Sequence, residues 1–191
     1  MKSVIVVLVI VASTLNIKSQ QVDFFREDLK FRLNEQFFEV TGDYYFRNTN
    51  NKPVSLMLIY PFPAETVYGK VEAVTCVDLS DGSNQMDTVN AERMLFSITM
   101  AANQSKVYRI GYRQQLSGNK AMYILTSTHR WGQPFEVVNY ELIVKDVRVD
   151  SISYIPDRVE VFTDSTKFYW KKRHFMPDRD FEISFNKTDI E

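Results

Sequence analysis

Two clusters in the chain combine side chains able to grip a ligand. His129, Arg130, Trp131 and Gln133 lie close together in a stretch that also holds Gly132, Pro134 and Phe135. An indole, a guanidinium and an amide are the groups that stack on and hydrogen-bond to a sugar or a peptide, so these four residues are the candidate ligand contacts. The same tryptophan could instead fold back and plug the end of the fold, since large aromatics dominate core energetics. The second cluster, Phe168 to Phe175 (FYWKKRHF), mixes aromatics with cations as single-strand nucleic-acid binders do. On a strand these residues divide between two faces, and a charged edge strand accounts for them. Nucleic acid is not an expected partner.

Catalytic patterns are sparse. A hydrolase needs a nucleophile, a base and an orienting group brought together, and only His129 and His174 could serve as a histidine base. Neither belongs to a Gly-x-Ser-x-Gly elbow. Two isolated histidines and one cysteine offer no zinc spacing, so no metal and no cofactor is expected. Asp78, Asp81 and Asn84 gather oxygen ligands as a calcium loop would. Gly82, however, stands at loop position five instead of six, and Val89 occupies the place of the bidentate glutamate, so an Asp-Gly turn explains the same residues. Paired carboxylates for glycoside cleavage depend on a separation in space that sequence order does not reveal. Cys76 sits in the strand-like run KVEAVTCVDL without basic neighbours and reads as a small buried hydrophobe. Asn103 and Asn186 open glycosylation triplets, which matter only in a host that uses them.

The totals bound the class. Lys2 followed by the apolar run Val4 to Leu15, with small residues near Ser19, reads as a cleavable signal peptide over residues 1–19. The run is short for a transmembrane span, and an uncleaved anchor is the alternative. Removing Lys2 and Lys18 leaves 21 basic residues against 24 acidic ones, a charge of −3. Such a chain has no electrostatic footprint for nucleic acid or anionic lipid. Residues 20–191 suffice for one domain with a substantial core, and 45% hydrophobic with 14% aromatic residues argues against disorder. A division near residues 117–120 into two smaller β-domains is the alternative layout.

The elements that would position these groups are strands. From Phe38 to Pro63 (FEVTGDYYFRNTNNKPVSLMLIYPFP), two alternating runs flank a polar turn and predict a hairpin with one buried face. Leu29, Phe31 and Leu33 alternate before it. Val67 to Leu79, Met94 to Met100, Tyr108 to Tyr112, Met122 to Ser127 and Val138 to Val144 follow, then four shorter runs. No apolar spacing of helical period persists over three turns. About ten short strands separated by turn residues predict an all-β fold, an antiparallel β-sandwich with a solid apolar interior.

At YYFRNTNNKPVSLMLIYPFP the chain resembles the opening of an uncharacterised family of secreted bacterial β-sandwich proteins, a domain of unknown function. It is also distantly similar to vault/inter-alpha-trypsin type domains. YWKKRHFMPDRDFEISF resembles the closing part of the same bacterial family. The resemblance implies a fold and an extracytoplasmic setting, secreted or periplasmic, and carries no catalytic residues with it. The sequence therefore predicts an exported, non-enzymatic protein that presents a binding or structural surface to a protein or glycan of the cell envelope, with no transmembrane span after signal cleavage. An envelope hydrolase whose carboxylates converge only in three dimensions is the alternative.

Overall fold

The computed structural model describes residues 22–187, so the expected signal peptide lies outside the described residues. Period-two alternation builds thirteen strands there, more than the ten or so that the sequence predicts. Seven of them are β1 (Val22–Leu33), β2 (Phe37–Asn48), β4 (Lys70–Asp78), β7 (Ser105–Gln115), β9 (Phe135–Val144), β11 (Arg158–Val161) and β12 (Thr166–Phe175). They form one sheet in the order β11-β12-β9-β1-β2-β7-β4, which takes strands from both sides of residues 117–120. Two small sheets face it. One joins β3 (Val54–Pro61), β6 (Arg93–Met100) and β5 (Met86–Val89) in the order β3-β6-β5. The other joins β10 (Val147–Ile152), β13 (Phe181–Lys187) and β8 (Lys120–Tyr123) in the order β10-β13-β8.

The fold is all-β, as expected, but its large sheet is mixed. β1 and β9 run parallel, from Arg26 opposite Val137 to Leu33 opposite Val144. A parallel pair requires a long connection, and the whole chain between these strands supplies it. The expected hairpin is also corrected. Phe38–Asn48 and Val54–Pro61 are strands, yet they never pair with each other: β2 bonds to β1 and β7, while β3 bonds to β6 in the opposite layer. The polar turn between them crosses the sandwich. Asn48, fully buried, holds the crossing by donating from Nδ2 to the carbonyls of Lys52 and Ala101, both at 2.8 Å. Its Oδ1 accepts from the Asn50 backbone N–H. Alternation assigns a strand's faces; it does not choose the edge the strand meets.

Two smaller expectations change as well. Val67 belongs to a helical turn, Glu65–Tyr68, so the following strand starts only at Lys70. Thr126 and Ser127 open a 3-10 helix, Thr126–Trp131, where a strand was predicted. β11 covers the outer side of β12 only from Thr166 to Tyr169, so the basic stretch Lys171–Arg173 lies, among the described residues, on an edge with no strand beyond it, as expected.

The inner face of the large sheet meets each small sheet separately. Phe31, Tyr140 and Trp170 pack on Phe181 of β13, with Phe31 and Phe181 stacked at 4.7 Å. Phe62 packs on Tyr112, and Phe96 of β6 packs on Tyr108. One small sheet thus covers the β12-β9-β1 half and the other covers β2-β7-β4. The seam between them runs over the β1–β2 pair.

Candidate functional site

β3 and β8 each lie at an edge of their own sheet, and they border the seam. Beneath them a cavity of about 1120 Å³ opens onto the inner face of β1 and β2. The expected solid interior is therefore corrected: two covering sheets of three strands leave a gap that one continuous sheet would close.

Glu27 lines this cavity and is 1% exposed. Counting back along β1 from Leu33 through Phe31 and Leu29, the inward phase arrives at Glu27. A bulge between Phe24 and Arg26 then resets the phase, so that Phe24 and Val22 also point inward. Tyr140 donates its hydroxyl to Glu27 Oε1 at 2.8 Å, and Tyr123 donates to Oε2 at 3.1 Å. The Tyr44 and Tyr123 hydroxyl oxygens lie 2.9 Å apart, and those of Tyr44 and Tyr60 lie 2.8 Å apart. A phenol has one proton. With Glu27 ionised, Tyr123 spends its proton on the carboxylate, so Tyr44 must donate to Tyr123 and Tyr60 to Tyr44. Three hydroxyl dipoles in series then point at one acid, and the chain joins β3, β2 and β8 across the seam.

Electrostatics follow from burial. Desolvation pushes the Glu27 carboxyl up to about 7, against the Tyr140 and Tyr123 hydroxyls, which favour its charge. The Asp28 charge adds to the rise. Asp28 itself alternates to the opposite face of β1, where Arg26, Tyr45 and Asn139 bond its oxygens. Burial also drives the Tyr44, Tyr60, Tyr123 and Tyr140 phenols well above their usual range, so they stay protonated.

Gly42 makes this arrangement possible. It precedes Tyr44 on the inward face of β2, and a Cβ there would meet the Tyr44 ring at 2.5–2.6 Å. The ring leans over the space that a side chain at position 42 would fill, which carries its hydroxyl to Tyr123 and Tyr60.

The 3-10 helix forms one end of the cavity. Asp180 fixes its start by accepting from the Thr126 N–H at 2.9 Å and hydroxyl at 2.8 Å. Gly132, at φ 68°, takes the left-handed turn that ends it. Trp131 packs its ring on Phe24 at 5.7 Å and on Phe46 at 5.5 Å, while Arg130 is exposed at the mouth. Glu92 and Arg93 face the same cavity from the turn into β6.

Of the four residues singled out in the sequence, the structure brings Arg130 and Trp131 to the cavity wall. His129 turns away, its ring Nε2 donating to the Pro177 carbonyl, and Gln133 is exposed beyond the wall. Glu27 and the tyrosines were not anticipated. The available signal was an acid in phase with Leu29, Phe31 and Leu33, on a face where a charge is costly. The loop compared with a calcium site is otherwise occupied: Asp78, 1% exposed, pairs with Lys106 at 2.7 Å and accepts from Ser80. Among the described residues no group of three His, Cys, Asp or Glu side chains could hold a metal.

Fold and site together define a two-layer β-sandwich with a buried-acid cavity along its seam. Residues 79–184 match the family described as Domain of unknown function (DUF4424), and the chain belongs to that family. The match takes in Tyr123, Tyr140 and the 3-10 helix, while Glu27, Tyr44 and Tyr60 precede it. No curated protein matches the chain in sequence. Among solved structures, a "putative nutrient binding protein" from Legionella pneumophila subsp. pneumophila is similar at TM-score 0.70 and 14% identity. That likeness covers 88% of this chain and 68% of the other. An M1 zinc metallopeptidase from Deinococcus radiodurans is similar at TM-score 0.51 and 9% identity, over 86% of this chain and 42% of that one. The same peptidase as a mutant bound to Tyr-Ser-Ala gives 0.52 and 10%, with equal coverage. The chain spans less than half the length of these peptidases. At such identities the likeness is one of fold.

Proposed function

We propose that the chain is an exported, non-enzymatic binding module that takes a small organic ligand into the cavity over Glu27. The observation that carries this is the cavity itself: an opening of about 1120 Å³ whose wall combines aromatic rings with polar groups of Arg93, Thr126, Ser127 and Arg130, and which holds one buried acid, Glu27. Ligand sites are concave, mostly apolar and equipped with a few convergent polar groups. The nutrient-binding description of the Legionella protein agrees with this reading, and export rests on the N-terminal pattern of Lys2 and Val4 to Leu15. No helix among the described residues is long and apolar enough to cross a membrane.

The hydrolase reading draws support from Glu27 and Glu92 sharing one cavity. Glu92 is exposed on its turn, and the charge that weighs on Glu27 is that of Asp28, not of Glu92. The two acids thus sit in unlike surroundings, Glu27 buried and Glu92 in solvent, and binding is the reading we prefer. Thermal melts of the protein with a panel of amino acids, amines, organic acids and sugars test the proposal, alongside a variant with Ser127→Trp in the cavity wall. The expected result is that at least one chemical class raises Tm of the native protein and not of the variant. A panel with no effect, or an effect that the variant keeps, overturns it.

A further inference from the structure

Resting on the binding reading above, we infer that the ligand is an organic ammonium cation whose charged nitrogen sits against Glu27 between aromatic rings. The first reason is an unmatched charge. Among the described residues the Glu27 side chain accepts from the two neutral hydroxyls of Tyr123 and Tyr140, which use two of about four lone-pair sites on a carboxylate. Among the described residues no cationic side chain bonds to it. Arg26, its neighbour in sequence, is committed to Asp28 on the opposite face of the strand, at 2.6 Å. Arg93 and Arg130 are both exposed at the rim. A carboxylate buried without a cation is costly, and removing that cost is what a positively charged ligand does when it enters.

The second reason is the wall. Phe24, Tyr44, Phe46, Tyr60, Phe96 and Trp131 all line the cavity. Ring faces attract cations through their quadrupole, and most strongly where water is excluded, which is how aromatic cages take ammonium groups. The third reason excludes the opposite charge. The hydroxyl protons of Tyr60, Tyr44 and Tyr123 run in series toward Glu27, so the floor presents an acid and spends its donors on it. An anion would meet repulsion there with no donor left to receive it. A carboxylate elsewhere on the ligand is compatible, because Arg93 and Arg130 stand at the mouth.

Two matched pairs test this by calorimetry on the native protein: choline against 3,3-dimethylbutan-1-ol, and phenylethylammonium against 2-phenylethanol. Each pair keeps shape and removes the charge, and the two cations separate a quaternary head from a primary one. At least one cation is expected to bind about tenfold or more tighter than its neutral partner. Glu27→Gln should erase that preference, bringing the cation's affinity to that of its neutral partner in the same variant, with Tm measured to show that the variant is folded. Trp131→Leu, a second variant on a different wall, should weaken the cation more than the alcohol. Equal binding of cation and alcohol, both abolished by Ser127→Trp, would overturn the ammonium assignment and leave the cavity reading intact. Cation binding that survives Glu27→Gln in a folded protein would also overturn it, as would no binding by either cation. Failure of the whole ligand panel removes the cavity reading itself.

Discussion

The protonation of Glu27 makes the stability of this protein depend on pH in an unusual direction. Carboxyls in folded proteins generally hold their protons less tightly than in the unfolded chain. Glu27 holds its proton more tightly, with a folded value of about 7 against an ordinary 4.5. Below pH 4.5 it is protonated in both states and its contribution is fully present. As pH rises from about 4.5 to about 7, the unfolded chain loses the proton while the folded one retains it, so folding is progressively disfavoured. Above pH 7 the penalty is constant. The shift corresponds to about 3 kcal/mol. For a protein of this size that is roughly 6–12 °C in Tm, or about 1.5 M in urea midpoint at a slope near 2 kcal/mol per molar. Other acids act in the opposite sense. Asp78 and Glu182 are held below their usual range and lose their contribution as pH falls through it. The informative quantity is therefore the stability of the native protein minus that of Glu27→Gln, in which these terms cancel. Urea denaturation of both proteins at pH steps from 4.5 to 8 should show this difference falling by about 3 kcal/mol across the interval and flat beyond it. A difference that stays within about 0.5 kcal/mol throughout would mean that water solvates the carboxylate, and the reasoning from burial would be wrong.

Further outcomes follow from the same geometry. Gly42→Ala drives a methyl into the Tyr44 ring and should cost about 1–3 kcal/mol by chemical denaturation, with a variant as stable as the native protein counting against the close approach. Trp131→Ala removes an indole packed on Phe24 and Phe46, so it should lower stability by about 2–3 kcal/mol as well as open the cavity end; an unchanged Tm would show that the ring only meets ligand. Cys76 is buried, and burial first, then the charges of Asp87 and Asp78, push its thiol up to about 12. A thiol reagent should therefore label it at the rate of global unfolding, and rapid labelling of the folded protein would contradict its placement.

Most strands were legible because their alternation is strict. Met94, Phe96, Ile98 and Met100 are all inward on β6, and Val138, Tyr140, Leu142 and Val144 are all inward on β9. What failed was partnership. The strands from Phe38 and from Val54 looked like a hairpin because they are neighbours joined by a turn-forming stretch, but that stretch crosses between layers, pinned by a buried Asn48. The 3-10 helix was missed because its six residues offer no apolar period. The candidate site was half legible. Trp131 and Arg130 drew attention as exposed-looking groups in a Gly/Pro turn. Glu27 did not, because in sequence it is one acid among 24.

By itself the sequence determined which side of each strand is greasy, hence the all-β class and the residues that could form a core, since side chains of a pleated chain must alternate. It also carried the acid at position 27 in the inward phase. Only the tertiary structure decided that β1 and β9 run side by side in the same direction, that the covering layer is split in two, and that Glu27 lies under the split with Tyr44, Tyr60, Tyr123 and Tyr140 gathered from four other strands. The reason is physical: alternation is a property of one strand, while a cavity and a shared hydrogen-bond chain belong to the way several strands meet.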